Sequence, residues 1–192
     1  MAKHKKDRVY SAYSDEELVV ILKLKNHESE IAFTEIYDRY SGSIHAYCSK
    51  IFSNHQIAED IFQDTFIKFF QNIKPEFNGA NLLGYLITIA RNLSLNYKRD
   101  TRPTVEIEGM DFVDDDKMNY ENDELLGLIT MALYLLDLEY REAFVLREYE
   151  GLPYEEIAST CNITVTNAKS RVFRAKQKIK DILAPYLKDL VK

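Results

Sequence analysis

The chain has 192 residues, 46% of them hydrophobic and 29% charged, with a formal net charge of −6. Six glycines and four prolines are too few for a turn-rich β fold and favour long helices. The start, MAKHKKDRVYSAY, has no apolar stretch behind it, and the most apolar run, Leu82 to Ala90, is about half a membrane span; a secretory signal and membrane insertion are therefore not expected, and the cytoplasm is the expected compartment.

Taken in order, residues 1–13 read as a tail and 14–100 as a first helical domain. SDEELVVILK opens with Ser14 and Glu17 in capping-box spacing before an apolar run. A second helix is expected from Ser29 to Ile51, with Ile31, Phe33, Ile36, Tyr37, Tyr40, Ile44 and Tyr47 as its apolar positions. The third begins at a box of Ser53 and Gln56 and ends at Pro75; Ala58, Ile61, Phe62, Phe66, Phe69 and Ile73 form one wide apolar face. EFNGAN is a turn, because Asn and Gly tolerate left-handed backbone. Leu82, Leu86, Ile89, Leu93 and Tyr97 outline a fourth helix ending near Arg99.

The charge is unevenly divided. Thr104 to Glu124 holds nine acids and a single base, a local charge of −8 that leaves the rest of the chain slightly basic. Residues 101–122 are therefore expected to be an acidic, extended linker, since like charges repel and little apolar surface is available to bury. A second helical domain, 123–192, follows, with helices expected near 124–136, 139–150, 153–160 and 164–183. Gly151 fits the position after a helix end and Pro153 the first turn of the next.

YEEIASTCNITVTNAKSRVF meets the mechanical requirements of a helix-turn-helix. Ala158 supplies the small contact residue, Asn162 accepts the left-handed turn, and Ile157, Cys161, Ile163, Ala168 and Val172 hold the helices together. In the second helix Val165, Ala168, Val172, Ala175, Ile179 and Ile182 form an inward stripe, and Asn167, Ser170, Arg171, Arg174 and Lys178 an opposite one. Amide, hydroxyl and guanidinium groups on such a face suit base edges in a major groove, with Lys169, Lys176 and Lys180 flanking it for phosphates. A solvated basic face on a structural helix is the plainer alternative.

Chemistry of other kinds finds no support. Cys48 and Cys161 have no metal-ligand spacing and read as buried thiols. No histidine follows a glutamate at the spacing of a di-iron helix bundle, and neither a phosphate-binding glycine loop nor a CxxC pair occurs. No enzyme activity, cofactor or metal is expected.

Three ordered segments resemble the extracytoplasmic-function group of the bacterial sigma-70 family. LREYEGLPYEEIASTCNITVTNAKSRVFRAKQKIK resembles its promoter −35-binding region, AEDIFQDTFIKFF its core-polymerase-binding helix, and FNGANLLGYLITIARNLSLNYKRD the segment that opens and reads the −10 element. The resemblance implies an all-α chain of two domains that binds core RNA polymerase (clamp and flap) and promoter DNA, and that is held by an anti-sigma factor. It assigns polymerase binding to Asp60, Gln63, Asp64 and Phe66. It assigns −10 contacts to Phe77, Asn78, Asn81, Arg91, Asn92, Asn96, Lys98 and Arg99, and −35 contacts to Thr166, Asn167, Lys169, Ser170, Arg171, Arg174 and Lys178. Phe77 and Tyr85 are either stacking platforms for bases or core residues. The chain departs from the family's usual pattern in lacking Trp and in carrying Thr166-Asn167-Ala168 before Lys169-Ser170-Arg171. A stand-alone helix-turn-helix regulator is the competing reading, but it leaves the AEDIFQDTF and IARNLSLNYKRD segments without a role.

Overall fold

The computed structural model describes residues 10–100 and 120–190, with side chains from 126 to 186 in the second stretch. The expected acidic linker lies largely outside the described residues. The chain divides into two compact units, Met1–His45 with Glu59–Thr104, and Ala46–Ala58 with Val105–Lys192. Every regular element among the described residues is helical.

In the first unit α1 (Asp15–Lys23) starts as its sequence predicts. Ser14 Oγ accepts from the Glu17 amide at 3.3 Å while the Glu17 carboxylate accepts from the Ser14 amide at 2.7 Å. The helix buries Leu18, Val19 and Leu22. Arg39 fixes its entry, reaching Asp15 at 3.0 Å and the Tyr13 carbonyl at 2.9 Å. α2 (His27–Ile51) begins two residues before the expected Ser29, because the Asn26 side chain accepts from the amides of Glu28 and Ser29. α3 (His55–Asn72) is likewise capped by Asn54, which accepts from the Ile57 amide at 3.2 Å, rather than by Ser53. Asn is an equally good cap and sits directly before the first helical residue.

The turn before α4 (Leu82–Asp100) is tightly specified. Gly79 has φ +95°, and a Cβ there would lie 2.7 Å from Glu16 Cα. A side chain at this position would therefore be strained and would also clash. Asn81, at φ 54°, accepts from the Gly84 amide at 3.0 Å and caps α4. Lys23 donates to the carbonyls of Pro75 and Phe77, which ties this loop to α1.

The second unit contains α5 (Tyr120–Tyr134), α6 (Leu138–Phe144), α7 (Tyr154–Cys161) and α8 (Val165–Leu190). The expected single helix from 139 to 150 is instead α6 followed by a π-helical turn, Val145–Tyr149. Its wider coil ends at Gly151 (φ +67°), where the Leu152 amide reaches back to the Leu146 carbonyl at 2.9 Å. Arg141 donates to the carbonyls of Leu133, Tyr134 and Leu136, satisfying acceptors that the end of α5 leaves open. Ala132 and Leu133 of α5, with Leu136 in the turn that follows, pack with Ala175, Ile179 and Leu183 of α8. α8 runs past the expected end at Leu183, through Pro185.

Ala46–Ala58 belongs to this second unit, and there the Tyr47 hydroxyl donates to buried Glu142 at 3.0 Å. Burial, reinforced by the Glu142 charge, pushes the Tyr47 hydroxyl well above its ordinary pKa and keeps it a donor. The Cys161 thiol lies 3.5 Å from the other Glu142 oxygen. Both cysteines are buried, and among the described residues no cluster of His, Cys, Asp or Glu could hold a metal. No described helix is long and apolar enough to cross a membrane.

Candidate polymerase and nucleic-acid interfaces

On α3, Asp60, Gln63 and Asp64 are exposed on one stripe. The carboxylates of Asp60 and Asp64 carry no ion pair among the described residues. Phe66 is only 3% exposed and sits in the floor of a groove rather than on that stripe. The groove holds about 510 Å³ and lies between α2 and α3, lined chiefly by Phe33, Tyr37, Phe62, Phe66, Ile67 and Phe70. Its walls are edge-to-face and tilted aromatic pairs, Phe33 with Phe70 at 5.0 Å and Tyr37 with Phe66 at 4.8 Å. Sequence periodicity did not single out Ile67 or Phe70, which are 50% and 40% exposed. The signal was present nonetheless: Phe66, Ile67, Phe69 and Phe70 are four apolar residues in five positions, more than one helix face can bury.

In the turn before α4, Phe77 and Tyr85 stack on one another, centroids 4.1 Å apart and planes 14° from parallel. Each ring is half-buried, so one face of the pair is already occupied by its partner. Asn78 is exposed, and its carbonyl oxygen accepts from the Ala80 amide at 3.1 Å. Along α4, Asn92, Asn96 and Arg99 form an exposed stripe at helical spacing, with Lys98 exposed beside it and Arg91 half-buried. Arg99 pairs with its neighbour Asp100 at 2.9 Å.

The helix-turn-helix forms as its sequence predicts. Asn162 adopts φ 54°, ψ 52°, and Ala158, Ile157, Cys161, Ala168 and Val172 are buried. Pro153 stands at the cap of α7 rather than inside its first turn. Thr164 Oγ1 accepts from the Asn167 amide at 3.2 Å and caps α8.

The outward side of α8 differs from the expected stripe. Arg171, whose side chain is 24% exposed, pairs with Glu139 at 2.6 Å, and Lys178 pairs with Asp137 at 2.9 Å and lies over the Tyr140 ring. Both cations are thus engaged along the edge that faces α6, away from the centre of the exposed side. On the opposite edge Lys176 pairs with Glu148 at 2.9 Å. Between these edges Thr166, Asn167, Phe173, Arg174 and Gln177 are exposed and Ser170 is half-buried. Arg174 and Lys169 carry no carboxylate partner among the described residues. Lys169 and Arg147 both approach the Tyr154 ring, at 5.7 and 4.7 Å, gathering positive charge at the start of α7. Sequence reading missed Arg147 and Tyr154, because only the π-helical turn and the fold of α7 onto α8 bring them together.

Residues 36–104 match the family model for sigma-70 region 2, and residues 126–179 that for sigma-70, region 4. The chain is 32% identical to the ECF RNA polymerase sigma factor EcfG of Rhodopseudomonas palustris, over 73% of this chain and 79% of that protein. It is 30% identical to the ECF RNA polymerase sigma factor SigE of Mycolicibacterium smegmatis, over 81% of this chain and 63% of that protein. Among solved structures, the sigma factor RpoE of Bartonella quintana, in complex with the anti-sigma factor NepR, is similar with a TM-score of 0.64 and 25% identity, covering 79% of this chain and 96% of that one. With both regions present in order on an all-helical frame, the chain belongs to the extracytoplasmic-function group of the sigma-70 family.

Proposed function

We propose that this chain binds core RNA polymerase and directs transcription initiation by recognising a −35 duplex and trapping the opened −10 strand. The observation that carries this reading is the coexistence of two sigma-70 regions, each with an exposed face of the appropriate chemistry. The α3 carboxylates beside an aromatic groove suit a basic, partly apolar helical partner such as the polymerase clamp: the groove gives apolar area and the acids give orientation and rate of encounter.

In the −10 region, Asn78 and Asn81 stand where an unstacked base edge could be hydrogen-bonded. The partly exposed Phe77–Tyr85 stack is an aromatic surface on which a base could lie, an interaction worth about 1–3 kcal/mol. Asn92, Asn96, Lys98 and Arg99 continue the track along α4. In the −35 region α8 enters the major groove with Thr166, Asn167, Ser170 and Arg174, while Lys169 and Arg147 suit backbone phosphates. The acidic segment of residues 101–122 fits a basic polymerase interior. An anti-sigma factor is a further expected partner, supported by the Bartonella relative solved with one.

Reconstitution with core polymerase tests the whole reading. A stoichiometric complex that transcribes from a subset of a randomised promoter library is expected. A chain that fails to associate with core, yet binds a palindromic duplex as a dimer, is a stand-alone regulator instead.

A further inference from the structure

The turn between α3 and α4 is irregular in structure, yet α1 holds it at two points. The Lys23 ammonium, in the last turn of α1, donates to the Pro75 carbonyl at 2.7 Å and to the Phe77 carbonyl at 2.5 Å. Phe77 is thereby fixed twice, since its ring also stacks on Tyr85. Gly79 is buried against the start of the same helix, so closely that a Cβ would lie 2.8 Å from the Asp15 carbonyl oxygen and 2.9 Å from the Glu16 nitrogen. Between these two anchored residues stands Asn78, exposed, with its carbonyl oxygen accepting from the Ala80 amide.

We propose that Lys23 is a positioning residue for −10 reading: it fixes the turn so that Asn78 and the Phe77 ring are already in place when the opened strand arrives. The proposal rests on that turn being where the −10 strand is read. A loop ordered in advance has little freedom left to lose on binding, a loss that would otherwise be subtracted from the affinity. The benefit falls on the correct base alone, because a base that does not engage the turn gains nothing from its order. Lys23 touches no nucleotide in this scheme; it sets selectivity through the backbone that it holds. An ammonium suits the task, having three donors and no acceptor, so that two carbonyls can converge on one group. The sequence conceals this role. A lysine that ends a helix reads as a complement to the helix dipole, and the carbonyls it meets are 52 and 54 residues away.

The experiment uses holoenzyme assembled from the full chain and core polymerase. Its probes are fork-junction DNAs that carry a −35 duplex and a single-stranded −10 segment, taken from a promoter drawn from the randomised library. Affinity is measured for the selected −10 sequence and for each single-base replacement. Lys23→Met is expected to lower the preference for the selected base roughly three- to tenfold at one position, with affinity for the replacements there unchanged. Association with core, and affinity for a probe that ends after the −35 duplex, should match wild type. Lys23→Arg, which can still donate to both carbonyls, should restore most of the preference. A purely structural role has a different pattern: Lys23→Met would lower the thermal midpoint and weaken every probe alike, leaving the preference intact, and that result overturns the proposal. Equal loss of preference in Lys23→Arg and Lys23→Met also overturns it, because donation to the carbonyls would then not be what fixes the turn. Failure of the underlying reading has a separate signature: wild-type holoenzyme would prefer no base at any −10 position, and the proposal would fall with it.

Discussion

The outward faces of α3 and α8 are both charged, and the structure treats their charges in opposite ways. On α3 the carboxylates of Asp60 and Asp64 stand without ion pairs among the described residues, beside an open aromatic groove. On α8 three of the basic residues are already paired within the same unit: Arg171 with Glu139, Lys176 with Glu148 and Lys178 with Asp137. Counting charge along a helix therefore overstates what α8 offers a partner, while the acidic stripe of α3 remains fully on offer. Such partly exposed pairs are worth little to stability, but they orient side chains and add negative charge at the rim of the surface proposed to meet DNA.

The largest expected effect falls on the α3 face. Phe70→Asp places a charge in the groove and should weaken core-polymerase binding by about 2 kcal/mol or more, read by competition for core in a fluorescence assay. Asp64→Arg should impair binding in the same direction through charge, with the helical content of the free protein unchanged. If both variants assemble normally, the exposed groove and acid stripe are not the contact surface.

Next comes a contrast within α8. Arg174→Ala should cost about 1–3 kcal/mol of −35 discrimination, whereas Arg171→Ala should weaken binding by less than about 1 kcal/mol and alike across −35 sequences. Binding measured over a panel of −35 variants separates the two. A larger sequence-specific loss for Arg171→Ala would place the reading edge on the α6 side.

A smaller effect of opposite sign is expected for Glu139→Gln. Releasing Arg171 toward phosphate should tighten binding to promoter duplex by a factor on the order of two to five. It should also steepen the slope of log affinity against log salt by about 1. An unchanged slope would mean that Arg171 reaches no phosphate even when free.

The smallest effect is a titration. Hydrogen bonding from Lys178 holds the Asp137 carboxyl below its ordinary range. Because the folded-state value is depressed, the pair's contribution is present above the unfolded value of about 4 and fades as pH falls through the lower folded value. In an NMR titration the Asp137 midpoint should rise when Lys178→Met removes the donor.

Much of this architecture was legible before any coordinates. The capping box at Ser14 and Glu17, the left-handed Asn162, the Gly-containing turn before α4 and the inward stripe of α8 are local features. Each depends on a handful of neighbouring residues, and each formed as its sequence required. Where the expectations slipped, local chemistry offered two equal solutions, as with Ser53 and Asn54 for the start of α3. The π-helical turn at Val145–Tyr149 escaped because its apolar spacing differs too little from that of an ordinary helix.

The candidate binding faces were legible in composition but not in arrangement. Residue types and helical spacing alone determined that α3 carries an acidic stripe and α8 a basic one. Only the tertiary structure decided that Phe66 is groove floor, that Ile67 and Phe70 are open beside it, and that Arg147 joins Lys169 at Tyr154. It also decided which α8 cations meet carboxylates from α6 and the π-helical turn, leaving Arg174 and the Phe173 ring on the open strip. The physical reason is range. Caps, turns and helical periodicity are set by residues within one or two turns of each other, whereas burial and ion pairing depend on distant segments that only folding brings together.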